Sequence, residues 1–198
     1  MTRLEQLKKH LRPGQVYRRQ DLADRSNALD RHLRQLVQDG TLVKVAGGLY
    51  EYPKPTVFGQ APATDDKLIK TFLKGDKYLL ASPNAYNGLG VGTTQLYNKT
   101  VVYNRKRHGE LTLGGRAFDF RVKHSFPKTL SDEFLLVDLV NNVSRLAESR
   151  DEVLSRVKER AASSDKARLQ RAAEKYGNVR AKKFFRETLT ADMAPHVR

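Results

Sequence analysis

Apolar residues near the start of the chain recur at helical spacing. Leu4, Leu7 and Leu11 fall three and four apart and mark one face of a short first helix, which the Pro13-Gly14 pair ends. A second short helix is expected over Arg19–Arg25, burying Leu22 and Ala23. A third is expected to begin after Ser26, whose hydroxyl can cap the orphan amides of its first turn, and to stop at Gly40. The period then changes. LVKVAGGLYEYP reads as two short strands, Leu42–Val45 and Leu49–Tyr52, around a Gly47-Gly48 turn. Three helices followed by a hairpin within residues 1–55 is the order of a winged helix-turn-helix.

Beyond it, residues 53–64 (PKPTVFGQAPAT) hold three prolines and a glycine, so 56–64 reads as a semi-rigid linker between domains. Asp65–Lys74 has an amphipathic pattern with Leu68, Ile69, Phe72 and Leu73 on one side. Tyr78–Ala81 suits a short strand or the start of a buried segment, Asn84–Leu89 a short helix, and Thr100–Asn104 a strand. Glu110–Leu113 and Ala117–Lys123 alternate around Gly114-Gly115 as a hairpin does. From Ser131 the period is helical: Phe134 to Val143, Val153 to Ala161, a stretch capped by Ser164 and ending near Gly177, and Val179 to Leu189. The expected fold class is α/β (α+β). An N-terminal winged helix-turn-helix is followed by a mixed α/β domain with a helical C-terminal part, the second domain covering 65–198.

The third helix can be read by face. At 100° per residue Leu29, Leu33, Leu36 and Val37 cluster and must meet the core, while Asn27, Arg31, Arg34, Gln35 and Gln38 point the other way. Arginine, asparagine and glutamine are the side chains able to contact base edges bidentately in the major groove. Such a face alone is equally that of a solvated helix; within three helices and a hairpin it reads as a recognition helix. Asp30 and Asp39 flank it, and His32 lies on its side as a packing, surface or contact residue. Arg18, Arg19, Arg25 and Lys44 are candidate phosphate contacts. Tyr17, Leu49 and Tyr50 read as core or wing support.

Charge sharpens this picture. The 198 residues carry 37 Lys and Arg against 22 Asp and Glu, a formal +15, which favours a polyanionic partner. The excess is spread along the chain: residues 61–130 hold 12 basic and 5 acidic groups, against 11 and 6 in residues 1–60. Arg105, Lys106 and Arg107 form its densest cluster, expected on a loop where it could touch phosphates beside the base-read site; Lys99, Arg116 and Lys123 could join it. The partner expected is double-stranded DNA bearing inverted repeats, met by a monomer or a dimer.

Other chemistry finds less support. There is no cysteine, which excludes disulfides and thiolate metal sites and fits a reducing compartment. MTRLEQLKKH has no signal-like apolar run and FLLVDLV is too short to cross a bilayer, so a cytoplasmic location is expected. Gly88–Gly92 (GLGVG) lacks the spacing of a dinucleotide loop, and no cofactor is expected. His10, His32, His108, His124 and His196 are too scattered to suggest zinc. A metal-dependent nuclease built on Glu110, Asp119, Arg121 and Lys123 is the rival reading, although a half-exposed hairpin shows the same alternation.

Two stretches resemble the AbiEi-like antitoxins and transcriptional regulators of type IV (AbiE) toxin–antitoxin systems. In DGTLVKVAGGLYEYPK, residues Asp39, Gly40, Leu42, Gly48, Tyr50 and Pro53 stand at that family's glycine, strand and G-x-Y-x-x-P positions. In SPNAYNGLGVGTTQ, followed by TVVYN, Asn84, Asn87, Leu89, Gly90, Thr94 and Gln95 match its second motif, with VGTTQ in place of the commoner LSTQ. The resemblance covers about residues 1–130, and the helical tail only weakly. It implies a non-enzymatic repressor of its own operon whose N-terminal domain binds DNA. It also implies a C-terminal domain that neutralises a partner toxin of nucleotidyltransferase type; the alternative expectation is a stand-alone DNA-binding regulator with no toxin partner.

Overall fold

The computed structural model describes residues 2–191; His196 lies outside the described residues. The described residues form a mixed α/β fold with three sheets and a C-terminal run of helices, and the chain divides into two compact units. The first runs up to Tyr78 and takes in Glu110–Phe118; the second holds Leu79–Gly109 and the chain from Asp119 onward. No helix among the described residues is long and apolar enough to cross a membrane.

The first unit opens with α1 (Arg3–His10), held at its start by a capping box in which Thr2 and Glu5 satisfy each other's amides. Strand β1 (Gln15–Arg18) follows, an element the helical pattern does not announce. The expected second helix is a tight 3₁₀ segment, Gln20–Arg25; it buries Leu22 but leaves Ala23 exposed. With three residues per turn, so short a segment turns few side chains inward. Helix α2 spans Leu29–Gln38, and Leu29, Leu33 and Leu36 on it join Leu7, Leu11, Leu22 and Leu42 in one core. Strands β2 (Val43–Ala46) and β3 (Leu49–Tyr52) form the expected hairpin around Gly48, which has a positive φ of 67°. The sheet order is β1-β3-β2, with β1 antiparallel to β3 in the register Gln15 to Tyr52 through Arg18 to Leu49. Tyr17, Tyr50 and Tyr52 pack on the leucine core.

The stretch read as a linker has structure of its own. Lys54–Thr56 (β4) and Gly59–Ala61 (β5) pair antiparallel as a separate two-stranded hairpin. Helix α3 (Asp65–Leu73), capped by Thr64, completes the contiguous part of the unit. The returning segment Glu110–Phe118 is fastened by Arg116, which donates to the Ala63 carbonyl (2.6 Å), Asp65 (2.9 Å) and the buried carboxylate of Glu51 (3.1 Å). Gly114 donates to the Val45 carbonyl at 3.0 Å, and a Cβ there would lie 2.8 Å from Val45 Cγ1, so a larger residue would crowd the Val45 side chain as well as strain a backbone of positive φ (56°).

Strands β6 (Tyr78–Ala81), β7 (Thr100–Asn104), β8 (Gly109–Leu113) and β9 (Arg116–Val122) are ordered β6-β7-β9-β8 in a four-stranded sheet. Helix α4 (Asp132–Asn142), capped by Ser131, is buried continuously from Phe134 to Val140. Around it lie α5 (Arg150–Ala162), α6 (Lys166–Tyr176) and α7 (Val179–Ala191). Their apolar stripes close one core with Val91 and the 3₁₀ segment Pro83–Leu89. The cap of α6 is Asp165, accepting from the Arg168 amide, one residue beyond the expected Ser164; Ser164 instead donates to the Arg160 carbonyl.

The second family-like motif is a wired loop. Asn84 bonds both backbone groups of Tyr97 (2.7 and 3.0 Å), Asn87 donates to the Gln95 carbonyl, and Glu148 accepts the Thr94 and Gln95 amides and the Tyr97 hydroxyl. Burial pushes the Glu148 carboxyl up, but these donors, the Gln95 amide foremost, outweigh it and hold the group below its ordinary range.

Candidate nucleic-acid interface

Helix α2 presents two opposed faces. Leu29, Leu33 and Leu36 are sunk into the leucine core, and this fixes the rotation of the helix, so Arg31, Arg34, Gln35 and Gln38 are all exposed. Asn27, in the bend before the helix, is exposed beside them. All five base-reading candidates therefore stand on one solvent-facing side of the first unit.

The approach to this face is shaped by its acids. Asp30 is exposed on the first turn of α2, where a bare carboxylate would repel phosphate. Arg19 clamps it through two bonds, Nε to Oδ1 at 2.6 Å and Nη2 to Oδ2 at 2.7 Å. The hydrogen bond from Arg19 holds the Asp30 carboxyl below its usual range. Arg19 is placed for this by its own amide, which donates to the Gly48 carbonyl in the hairpin turn at 2.9 Å. An open depression of about 230 Å³ lies here, lined by Arg19, Asn27, Ala28, Asp30 and Arg31 among others. Sequence separation hides the pairing: the partners are eleven residues apart across a bend, so neither helical nor strand periodicity signals it.

Ser26, expected to cap α2, and Arg18, expected to contact phosphate, are occupied elsewhere. Ser26 does not cap α2, whose N-cap is Ala28 with no side-chain bond. It is buried with its Oγ 2.7 Å from Nδ1 of His32, and it accepts from the Ala28 amide. His32 is thus a packing residue, 6 % exposed, because its ring has a partner inside. Arg18 is half-buried and donates to the carbonyls of Thr71 (2.6 Å) and Phe72 (2.7 Å) at the end of α3, where the carbonyl-rich terminus attracts a cation. Arg25 and Lys44 remain exposed, Lys44 on the edge strand β2 opposite Tyr50.

In the second unit the basic triplet sits on a built turn. The Asn104 side chain, 1 % exposed, accepts the amides of Lys106 (2.8 Å) and Arg107 (2.7 Å) and donates to the carbonyls of Val102 and Arg107. Arg105, Lys106 and Arg107 are all exposed, and Arg105 also donates to the His124 carbonyl at 3.0 Å. Arg116 and Lys123 do not extend this cluster. Arg116 is spent on Glu51 and Asp65, and Lys123 on buried Asp138 at 2.8 Å, because each neutralises a carboxylate drawn out of solvent.

Of the residues considered for metal chemistry, Glu110 is exposed on β8 and Asp119 is engaged by Arg121 at 2.6 Å. Among the described residues no group of three or more His, Asp or Glu side chains is placed to hold a metal ion.

No protein-family model matches the chain, and comparison with curated proteins finds no match. Among solved structures the chain is similar to the crystal structure of the RV2827C protein from Mycobacterium tuberculosis. The likeness has a TM-score of 0.57 at 16 % sequence identity and covers 98 % of this chain and 76 % of that one. At that identity the two share a fold, with the architecture described here running through nearly the whole of this chain.

Proposed function

We propose that the chain is a sequence-specific, duplex-DNA-binding repressor acting in the cytoplasm, with its first unit working as a winged helix-turn-helix. In this reading α2 is the recognition helix and the β2–β3 hairpin is the wing. The observation that carries it is the exposed face of Asn27, Arg31, Arg34, Gln35 and Gln38, opposite a locked leucine face and beside an Asp30 that Arg19 neutralises. Those side-chain types read bases, while Arg25, Lys44 and the Arg105–Arg107 turn touch phosphates, positioning without specifying. The resemblance to AbiEi-like proteins extends the proposal: the repressed operon is its own, and the second unit neutralises a nucleotidyltransferase-type toxin.

The direct test is a nuclease footprint on the promoter upstream of the gene. Arg31→Ala and Arg34→Ala should each weaken binding to the protected site by about 1–3 kcal/mol while leaving thermal melting unchanged, since both side chains are exposed. Random DNA should bind the two variants nearly as well as the parent chain. A promoter with no protected site at moderate salt would overturn the repressor reading.

A further inference from the structure

The β4–β5 hairpin ends in the most exposed apolar pair of the first unit. Its register runs Lys54 to Ala61, Pro55 to Gln60 and Thr56 to Gly59, leaving Val57 and Phe58 as the turn. Val57 is 93 % and Phe58 98 % exposed. The turn is stiffened rather than loose: Thr56 Oγ1 donates to the Gly59 carbonyl at 2.7 Å and accepts the Phe58 amide at 3.3 Å. Pro55 limits the backbone of β4, and Pro53 and Pro62 flank the hairpin on either side.

Large apolar side chains held in water on a rigid tip mark a contact site. The surroundings decide what it contacts. No acidic residue occurs between Glu51 and Asp65, and apart from Thr56, whose hydroxyl is spent on the Gly59 carbonyl, the polar side chains there are Tyr52, Lys54, Gln60 and Thr64, all able to donate a hydrogen bond to an anionic partner. Two side chains on one turn also fall far short of the roughly 800 Å² per partner that a stable protein interface buries. A wedge into DNA needs no such area, since one apolar side chain entering a base step from the minor groove suffices to unstack it. The paired strands are narrow enough to present such a tip to a groove about 6 Å wide.

We propose that Phe58, supported by Val57, is an apolar wedge that enters the minor groove of bound duplex and kinks it. The hairpin leaves the end of β3 opposite the Gly48 turn, so the kinked step lies outside the bases covered by α2 and that turn. This inference rests on the DNA-binding reading above and adds to it a deformation, so flanking sequence is selected for flexibility, with pyrimidine–purine steps favoured.

The test uses the full chain and a duplex that it selects from a random-sequence pool, labelled at both ends for energy transfer. The parent protein should bend this duplex by about 20–90°. Phe58→Ser should lose most of the bend and weaken binding roughly 3- to 30-fold, with an unchanged melting temperature because the side chain is exposed. Phe58→Leu should keep the bend, leucine being another wedge residue. Arg34→Ala should weaken binding with the bend of the remaining complex intact. A bound but straight duplex, or a Phe58→Ser complex bent like the parent, overturns the wedge and leaves the DNA-binding reading standing. Failure to select any duplex overturns both. If the chain dimerises without DNA and Phe58→Ser makes it monomeric, the tip is a contact between copies and the wedge is overturned.

Discussion

Asp138→Ala is expected to cost the second unit about 3–5 kcal/mol, a large share of the roughly 5–15 kcal/mol that keeps a domain folded. The Asp138 carboxylate is 1 % exposed on the most buried helix of the fold. It accepts the hydroxyls of Tyr86 (2.8 Å) and Tyr103 (2.7 Å) and the ammonium of Lys123 (2.8 Å), while Asn142 ties back to its backbone carbonyl. Lys123 also lies 4.0 Å from the centre of the Tyr103 ring. Alanine would strand one ammonium and two phenols in a core that offers few other acceptors, and the loss comes from those orphans as much as from the bonds removed. Denaturant unfolding followed by circular dichroism measures it. Pairing Asp138→Ala with Lys123→Met should recover part of the loss, because the second change removes the stranded charge. A single-variant loss below about 1 kcal/mol would show that the network contributes little.

The same network sets an alkaline limit. Burial first, then the Asp138 charge, pushes the Tyr86 and Tyr103 phenols well above their ordinary value near 10. A folded value above the unfolded one means that the stabilisation is complete below about pH 10 and is lost as pH rises through the folded values. Absorbance near 295 nm should therefore show these two tyrosines staying protonated until the second unit unfolds. Tyr103→Phe should flatten the decline, and a smooth titration of all eight tyrosines near pH 10 would contradict it.

Leu33→Ala should cost the first unit about 2–5 kcal/mol, the range for emptying a close-packed leucine site. Leu33 is fully buried among Leu7, Leu22, Leu36 and Leu42. Its neighbour Arg34 is exposed, so the two substitutions separate fold from contact one residue apart. Leu33→Ala should speed amide exchange in α1 and α2 together and weaken DNA binding as a consequence. Arg34→Ala should weaken binding with exchange unchanged. If Leu33→Ala left exchange in α1 as slow as before, α1 and α2 would not share one cooperative core.

Local signals explain what was legible in the sequence. Leucines three and four apart marked α1 and the buried side of α2, and with it the side left in solvent. The Gly47-Gly48 turn marked β2 and β3, and the alternation of Phe118 and Phe120 marked β9. Pairings across long separations left no such trace. Arg18 is 53 residues from the carbonyl of Thr71, and Arg116 is 65 from Glu51. Nothing in either neighbourhood distinguishes these arginines from the exposed ones of α2. Ser26 has the chemistry of a helix cap, yet the bend at Asn27 and Ala28 hands its hydroxyl to His32 six positions on. The hairpin at Lys54–Ala61 is hidden by its own prolines, which signal a linker but also occur on edge strands.

The return of Glu110–Phe118 to the first unit has a consequence for how the chain is made. A ribosome delivers residues in order, so the leucine core can begin to form while its last segment is still unsynthesised. Arg116 cannot yet neutralise Glu51, and Gly114 cannot yet meet Val45. At about 5–20 residues per second, the gap between Tyr78 and Phe118 amounts to a few seconds of translation. During that interval the nascent first unit holds a carboxylate that has no cation and a strand edge that has no cover. Final closure is therefore post-nucleation, and any fragment cut at a single point leaves one unit short of a piece.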